Sequence, residues 1–182
     1  LVVLSGGQDS TTCLYWALRH FAAVQALTFD YGQRQRRELT CAAQIAQAAG
    51  VAHTVLPINT FHALGGNALT DPTLPLPQPA LPNTVPHSAL PNTFVPGRNL
   101  IFLTFAAAFA YQHGLQHVVT GVAEVDYSGY PDCRQHTLQA LQQALRLGMD
   151  YPITIHAPLM RLTKADTVRL ALQVGAAAAL AH

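Results

Sequence analysis

Apolar and polar positions along this chain fall into blocks whose period changes from one block to the next. Residues 1–4, Leu-Val-Val-Leu, form an unbroken apolar run, the pattern of a strand buried on both faces of a parallel sheet. A polar hexapeptide, Ser5 to Ser10, interrupts it. Cys13, Leu14, Ala17, Leu18 and Phe21 then recur at helical spacing and give one apolar face. Residues 24–29 read as a second strand, followed by a polar loop over 30–36. Leu39, Ala42, Ala43, Ile45, Ala46 and Ala49 form another helical face, closed by Gly50, and residues 51–58 predict a third strand. Strands alternating with helices imply parallel pairing through right-handed crossovers.

Residues 59–97 break this rhythm. They hold most of the chain's prolines, with Gly65 and Gly66 near the start, and predict an insertion with little helix. The alternation then resumes. Residues 100–111 are apolar all round, the pattern of a buried helix ended by Gly114. Residues 116–121 predict a fourth strand, and 122–132 a polar loop. Asp132 with Gln135 three residues on resembles a capping box opening a helix to about residue 147. Residues 153–159 read as a short strand. Thr163-Lys164-Ala165-Asp166 starts a last helix closed by Gly175. The expected fold is one α/β domain over residues 1–182: an open, mostly parallel sheet with helices on both faces.

The first strand–helix junction carries the clearest chemistry. A tight glycine loop between a buried strand and a helix aims the unpaired N–H groups of the first helical turn at whatever lies above the strand, which is an anion site suited to phosphate. Gly6 and Gly7 allow close backbone approach, Ser5, Ser10 and Thr11 add hydroxyl donors, and Asp9 is placed to orient the loop or to hold Mg²⁺ through water. Ligands of open parallel sheets bind outside the carboxyl ends of the strands. Four polar loops fall there on this reading: 5–10, 30–36, 95–99 and 122–134.

Composition narrows the rest. Half of the 182 residues are apolar, a tenth are charged, and the formal net charge is +1, so no general basic field exists for nucleic acid. Lys164 is the single lysine, leaving cationic work mainly to arginine. No run is long and clean enough to span a membrane, and there is no signal peptide. Leu1 opens inside a strand, so a short N-terminal piece is expected before it. Cys13, Cys41 and Cys133 are too scattered for a disulfide framework and suit a reducing cytoplasm. The nine histidines form no metal-ligand spacing. Several polar residues keep two readings. Asp30-Tyr31-Gly32 is a ligand loop or a plain turn. Arg98 is a phosphate contact or a helix start. Asp132 is a ligand or a helix cap. Lys164 touches a phosphate or sits in a helix's first turn.

The hexapeptide Ser5-Gly6-Gly7-Gln8-Asp9-Ser10 lacks the lysine of GxxxxGK[ST] and is not GxGxxG; it resembles SGGxDS, the pyrophosphate loop of the PP-loop ATP pyrophosphatase superfamily, with its Rossmann-like, adenine nucleotide alpha hydrolase-like fold. Together with Tyr31-Gly32-Gln33-Arg34, Val95-Pro96-Gly97-Arg98-Asn99, residues 126–134 (Asp-Tyr-Ser-Gly-Tyr-Pro-Asp-Cys-Arg), and Pro158-Leu159 before Thr163-Lys164, the chain resembles the 7-cyano-7-deazaguanine synthase family of queuosine precursor synthesis. The resemblance implies a cytoplasmic, homodimeric ligase that joins ammonia to 7-carboxy-7-deazaguanine at the expense of ATP, with Mg²⁺. It implies ATP contacts along Leu4, Ser5, Gly6, Gly7, Gln8, Asp9, Ser10, Thr11, Thr12, Cys13 and Leu14, and catalytic work by Ser5, Asp9, Ser10, Arg98 and Lys164. Base contacts are implied for Arg34, Asn99, Asp126, Tyr127, Tyr130, Asp132 and Arg134, with Asp126 or Asp132 pairing with the guanine-like N–H edge and Tyr127 or Tyr130 stacking on the base. The family also implies a structural zinc held by four cysteines beyond residue 182, and no metal ligand within this chain. The alternatives are another PP-loop adenylating ligase, tRNA-modifying or amide-forming, and a nucleotide-binding module without catalysis.

Overall fold

A computed structural model of the chain describes residues 1–33, 36–61, 94–123 and 130–180. Five parallel strands form one sheet: β1 (Val2–Val3), β2 (Gln25–Asp30), β3 (Ala52–Pro57), β4 (His117–Val119) and β5 (Thr154–His156), in the order β3-β2-β1-β4-β5. The chain steps outward from β1 to β3 and then returns to lay β4 on the other side of β1. Val2 pairs with Ala26 on one side and with Val119 on the other. The strand order therefore reverses between β1 and β4, the point where open sheets of this kind bind ligands.

Helices α1 (Gln8–His20) and α2 (Arg37–Ala48) cover one face, and α3 (Arg98–Gln112) and α4 (Gln135–Met149) cover the other. Successive strand side chains point to opposite faces, so neighbouring residues enter different cores. Val2, Leu4, Ala26 and Val119 pack with Leu14, Ala17, Ile45 and Ala46. Leu1, Leu27, Phe29 and Val118 pack with Leu103, Ala107, Leu138 and Leu145. The two-sided burial explains why these strands read as continuous apolar runs. Helix α5 (Lys164–Val174) lies against α1 and starts as its sequence predicts: the Thr163 hydroxyl accepts from the Asp166 N–H at 3.2 Å. It ends at Gly175, whose φ of +87° lies in the left-handed region.

Two local expectations are corrected. Asp132 does not cap α4: it sits in a 3-10 turn (Pro131–Cys133), the N-cap of α4 is Arg134, and no side chain caps that helix. Helix α3 is not buried all round: Leu103, Ala106, Ala107 and Ala110 face the core, while Phe105 and Tyr111 are 44% and 47% exposed. The Pro-rich insertion lies almost wholly outside the described residues. No helix among the described residues is long and apolar enough to cross a membrane.

Candidate active site

The carboxyl ends of β1, β2 and β4 open into a cleft of about 300 Å³. Its walls come from five places that are distant in sequence: Ser5 with Asp9 and Ser10, Thr28 with Tyr31, Glu38 in the first turn of α2, Arg98 and Asn99 in the first turn of α3, and Thr120 to Val122 after β4. All four polar loops expected above the sheet reach it.

The floor of the cleft is a loop tied to itself. Ser5 N–H donates to the Ser10 hydroxyl at 3.1 Å, and the two serine hydroxyls lie 3.0 Å apart. The Gly7 carbonyl accepts from Ser10 Oγ at 3.0 Å and from Thr11 Oγ1 at 2.8 Å. Thr12 Oγ1 donates to the Gln8 carbonyl at 2.9 Å. Gly7 is the N-cap of α1, and no side chain caps that helix. The first-turn N–H groups thus keep the positive helix end available to an anion. Gly6 is required twice. Its φ is +84°, and a Cβ there would stand 2.5 Å from the Glu38 carbonyl oxygen and 2.9 Å from the Ala42 nitrogen. Gly121 plays the matching role on the other side, where a Cβ would meet the Ser10 nitrogen at 3.0 Å. The loop is therefore wedged between α2 and the end of β4.

Not every residue expected to touch a nucleotide lies at the surface of this loop. Ser5, Gly7 and Gln8 are exposed and Asp9 is partly so, whereas Leu4, Thr11, Thr12, Cys13 and Leu14 are fully buried. Cys13 Sγ donates to the Thr120 carbonyl at 3.5 Å, and burial, with Asp9 nearby, pushes its thiol far above the ordinary value. These residues fix the loop from beneath. From α5, Lys164 Nζ reaches Asp9 Oδ2 at 2.9 Å and closes one rim.

The opposite wall is charged and less internally bonded. Arg98 lies with its guanidinium 5.9 Å from the Tyr31 ring centroid, and its Nε is buried without a hydrogen-bond partner. Burial raises the Tyr31 hydroxyl above its ordinary value, against the pull of Arg98. Burial likewise raises the Glu38 carboxyl, again partly offset by Arg98. Asn99 is held from behind: its N–H donates to Asp132 Oδ2 at 2.9 Å, and its Nδ2 contacts Cys133 Sγ at 3.3 Å. Asp132 is 4% exposed and spends that carboxylate oxygen on the start of α3. Its side chain positions Arg98 and Asn99 rather than lining the cleft.

Residues 1–182 match the family described as queuosine biosynthesis protein QueC. The chain belongs to this family. It is 67% identical over 183 residues to the 7-cyano-7-deazaguanine synthase of Chromobacterium violaceum, covering 100% of this chain and 76% of that relative. It is 64% identical over 183 residues to the enzyme of the same name from Laribacter hongkongensis, covering 100% of this chain and 77% of the relative. Among solved structures it is similar to a predicted tRNA methyltransferase subunit from Methanocaldococcus jannaschii (TM-score 0.58, 15% identity, 93% of this chain and 72% of that one). It is also similar to a 4-thiouridine synthetase in complex with RNA and bound ATP (TM-score 0.52, 16% identity, 98% of this chain and 41% of that one). At such identities the structural likeness speaks for the fold alone, which is the expected α/β architecture with an open parallel sheet.

In this QueC-family chain the structure brings together Ser5, Asp9, Ser10, Arg98 and Asn99 around one cleft, with Lys164 bonded to Asp9 at its rim. It sets Arg134 on the exposed start of α4. Tyr130 lies against Phe94, with ring centroids 5.3 Å apart. Arg34, Asp126 and Tyr127 lie outside the described residues. Glu38, Thr28 and Gly121 join the cleft without having been nominated from sequence. Glu38 is an acid in the first turn of α2, an ordinary place for one beside a helix N-terminus; its four-residue spacing from Arg34 after the Tyr31-Gly32-Gln33 motif is the available signal.

Proposed function

We propose that this protein is a 7-cyano-7-deazaguanine synthase: it converts 7-carboxy-7-deazaguanine and ammonia into the nitrile with consumption of ATP, in queuosine biosynthesis. Two relatives of that name at 64–67% identity support the reading. The observation in the molecule that carries it is the pairing, in one cleft, of an uncapped phosphate-type loop with a buried arginine N–H that has no partner. A buried donor left unsatisfied costs about 1–3 kcal/mol, so it marks a place where a ligand acceptor belongs.

The chemistry follows from that arrangement. A carboxylate is a poor electrophile, and its oxygen must first become part of a phosphate or adenylate leaving group. The loop Ser5–Ser10 is suited to hold the ATP phosphates on the α1 N-terminus, with Ser5 and Ser10 hydroxyls already oriented by each other. Arg98 faces the substrate carboxylate and balances charge as the acyl–oxygen bond to phosphorus forms. Ammonia then displaces the leaving group to give an amide; activation of the amide oxygen by ATP in turn lets it depart on the phosphate or adenylate, with loss of two protons from the nitrogen, to give the nitrile. Lys164 can transfer its contact from Asp9 to a phosphate oxygen. Asp9 is a hard oxygen donor beside the loop and fits Mg²⁺, which would supply charge neutralisation on the phosphates. Among the described residues no group of three or more His, Cys, Asp or Glu is placed to hold a metal ion, so the four-cysteine zinc implied by the resemblance is assigned to none of them.

The remaining expectations belong to the same reading. A net charge of +1 suits a free base rather than a nucleic acid as substrate. Three free cysteines suit a reducing cytoplasm. The exposed Phe105 and Tyr111 of α3 offer apolar surface that a second copy would cover in a homodimer.

The test is turnover. The protein is incubated with ATP, Mg²⁺, ammonium and 7-carboxy-7-deazaguanine, and the base is followed by mass spectrometry. Appearance of the nitrile supports the reading. An unchanged base with ATP bound or cleaved leaves the phosphate loop standing and removes the substrate assignment.

A further inference from the structure

We infer that Glu38 is the specificity-determining carboxylate of the base site, accepting two hydrogen bonds from the amidine-like edge of the substrate, the ring N–H and the exocyclic 2-amino group. The inference rests on the synthase reading above and deepens it. A 7-carboxy-7-deazaguanine carries an anionic carboxylate at one end and two parallel N–H donors at the other. A site for it needs a cation and an acceptor pair within one small cavity, and a carboxylate matches two parallel donors best.

Of the carboxylates that sequence motifs nominated, Asp126 lies outside the described residues, and Asp132 is buried and bonded to the start of α3. Asp30 accepts from Gly32 N–H and pairs with Arg36, and Asp9 pairs with Lys164 on the phosphate side. Glu38 differs from these three described residues. It lines the cleft from the first turn of α2, its backbone wedged against Gly6, and among the described residues its carboxylate makes neither a hydrogen bond nor an ion pair within 4.0 Å. Arg98 lines the same cavity and acts on Glu38 only through its charge. Half-burial raises the Glu38 carboxyl, the cost of a desolvated anion that Arg98 offsets only in part and that no described donor offsets by a hydrogen bond. Two N–H donors of a bound base would remove that cost. Arg98 and Glu38 thus form the two poles of the site, one for each end of the substrate.

The test compares the natural base with its 2-deamino analogue, which lacks one of the two donors. In wild type, kcat/KM for the natural base exceeds that for the analogue by about 100-fold, the order lost when one hydrogen bond to a charged group is left unmade. Glu38→Gln replaces one acceptor by a donor. It is expected to raise KM for the natural base by about 30-fold, to cut the preference over the analogue below about 5-fold, and to leave KM for ATP and ammonium within about 3-fold. Glu38→Asp keeps the charge and shortens the reach; it retains a preference for the natural base at reduced kcat/KM. Equal losses on natural base and analogue overturn the proposal. So does a rise in KM for ammonium, or in the Mg²⁺ requirement, with KM for the base unchanged. ATP binding by each variant, measured by calorimetry, shows that the fold around Gly6 is intact; if Glu38→Gln has lost it, the Glu38→Asp preference decides. A wild type that neither binds nor converts the base removes the synthase reading and this proposal together, whereas a converting wild type with an indifferent Glu38→Gln removes only the proposal.

Discussion

The two ends of the cleft are built in opposite ways. At the phosphate end, the hydroxyls of Ser10, Thr11 and Thr12 are bonded to the loop's own backbone, and the loop is clamped between Glu38 and Ala42 on one side and Gly121 on the other. At the proposed base end, among the described residues, Arg98 has a buried N–H with no partner and the Glu38 carboxylate makes no hydrogen bond or ion pair within 4.0 Å. The first end is finished before any ligand arrives; the second is completed by one. A site for a ligand shared by many enzymes can be held rigidly by backbone and glycine packing. A site for one particular base needs side chains whose polar atoms the protein itself leaves unbonded, because only their pairing with the right ligand discriminates against the wrong one.

The largest effect expected from breaking this comparison is at Gly6. An alanine there meets both a left-handed φ and the backbone of α2, with the Glu38 carbonyl oxygen at 2.5 Å and the Ala42 nitrogen at 2.9 Å. Gly6→Ala is expected to destabilise the protein by about 3 kcal/mol or more and to abolish ATP binding, read by denaturant melts and calorimetry.

Next comes Asp132. Its carboxylate holds the Asn99 N–H at the start of α3, so Asp132→Ala is expected to cost about 1–3 kcal/mol and to lower kcat/KM for the base through displacement of Arg98. Asp132→Asn keeps an acceptor oxygen and should lose less than half of that stability. Equal stability of wild type and Asp132→Ala would mean that α3 does not depend on this cap.

The pH response of Glu38 is a finer probe. Burial raises its folded value above the ordinary 4.5, with Arg98 and the neighbouring Tyr31 the described groups that face it. The folded state then binds the proton more tightly than the unfolded state. The cost of the buried anion is absent below the ordinary value and grows as pH rises through the raised one. Glu38→Gln should therefore gain stability relative to wild type on going from pH 4 to pH 8, and its pH profile for the base should lack the acid limb attributed to Glu38. An unchanged acid limb would assign that limb to another group.

The smallest stability effect is at the rim. The Lys164–Asp9 pair has side chains 57% and 28% exposed, and such pairs contribute about 0–1 kcal/mol. Lys164→Ala should leave the melting temperature nearly unchanged while raising KM for ATP by about 10-fold if Lys164 moves to a phosphate. A stability loss without a change in ATP kinetics would make the pair a purely structural clasp.

Much of this arrangement was readable from the chain. The four polar loops reach one cleft because parallel strands share an end, and the strand–helix alternation announces that end before any contact is known. Ser5 to Ser10 were legible for the same reason: the loop's geometry is local, set by two glycines and a helix start. What sequence could not reveal is pairing across distance. Asp132 precedes a helix and looked like its cap, yet its partner is Asn99, 33 residues away on another helix. Glu38 carries no motif of its own in the sequence, and it joins the cleft because the start of α2 packs beside Gly6 at the end of β1. Helix α3 read as buried all round because its composition is apolar, whereas the sheet covers one side and leaves Phe105 outside.

The central claim is that the cleft divides its labour between a phosphate end and a base end. Calorimetry of 7-carboxy-7-deazaguanine and of ATP, each titrated into wild type and into Arg98→Ala, tests it most directly. The account predicts a loss of base affinity of about 100-fold with ATP affinity within about 3-fold of wild type. Equal losses for both ligands, or a loss for ATP alone, would place Arg98 at the phosphates and contradict the division.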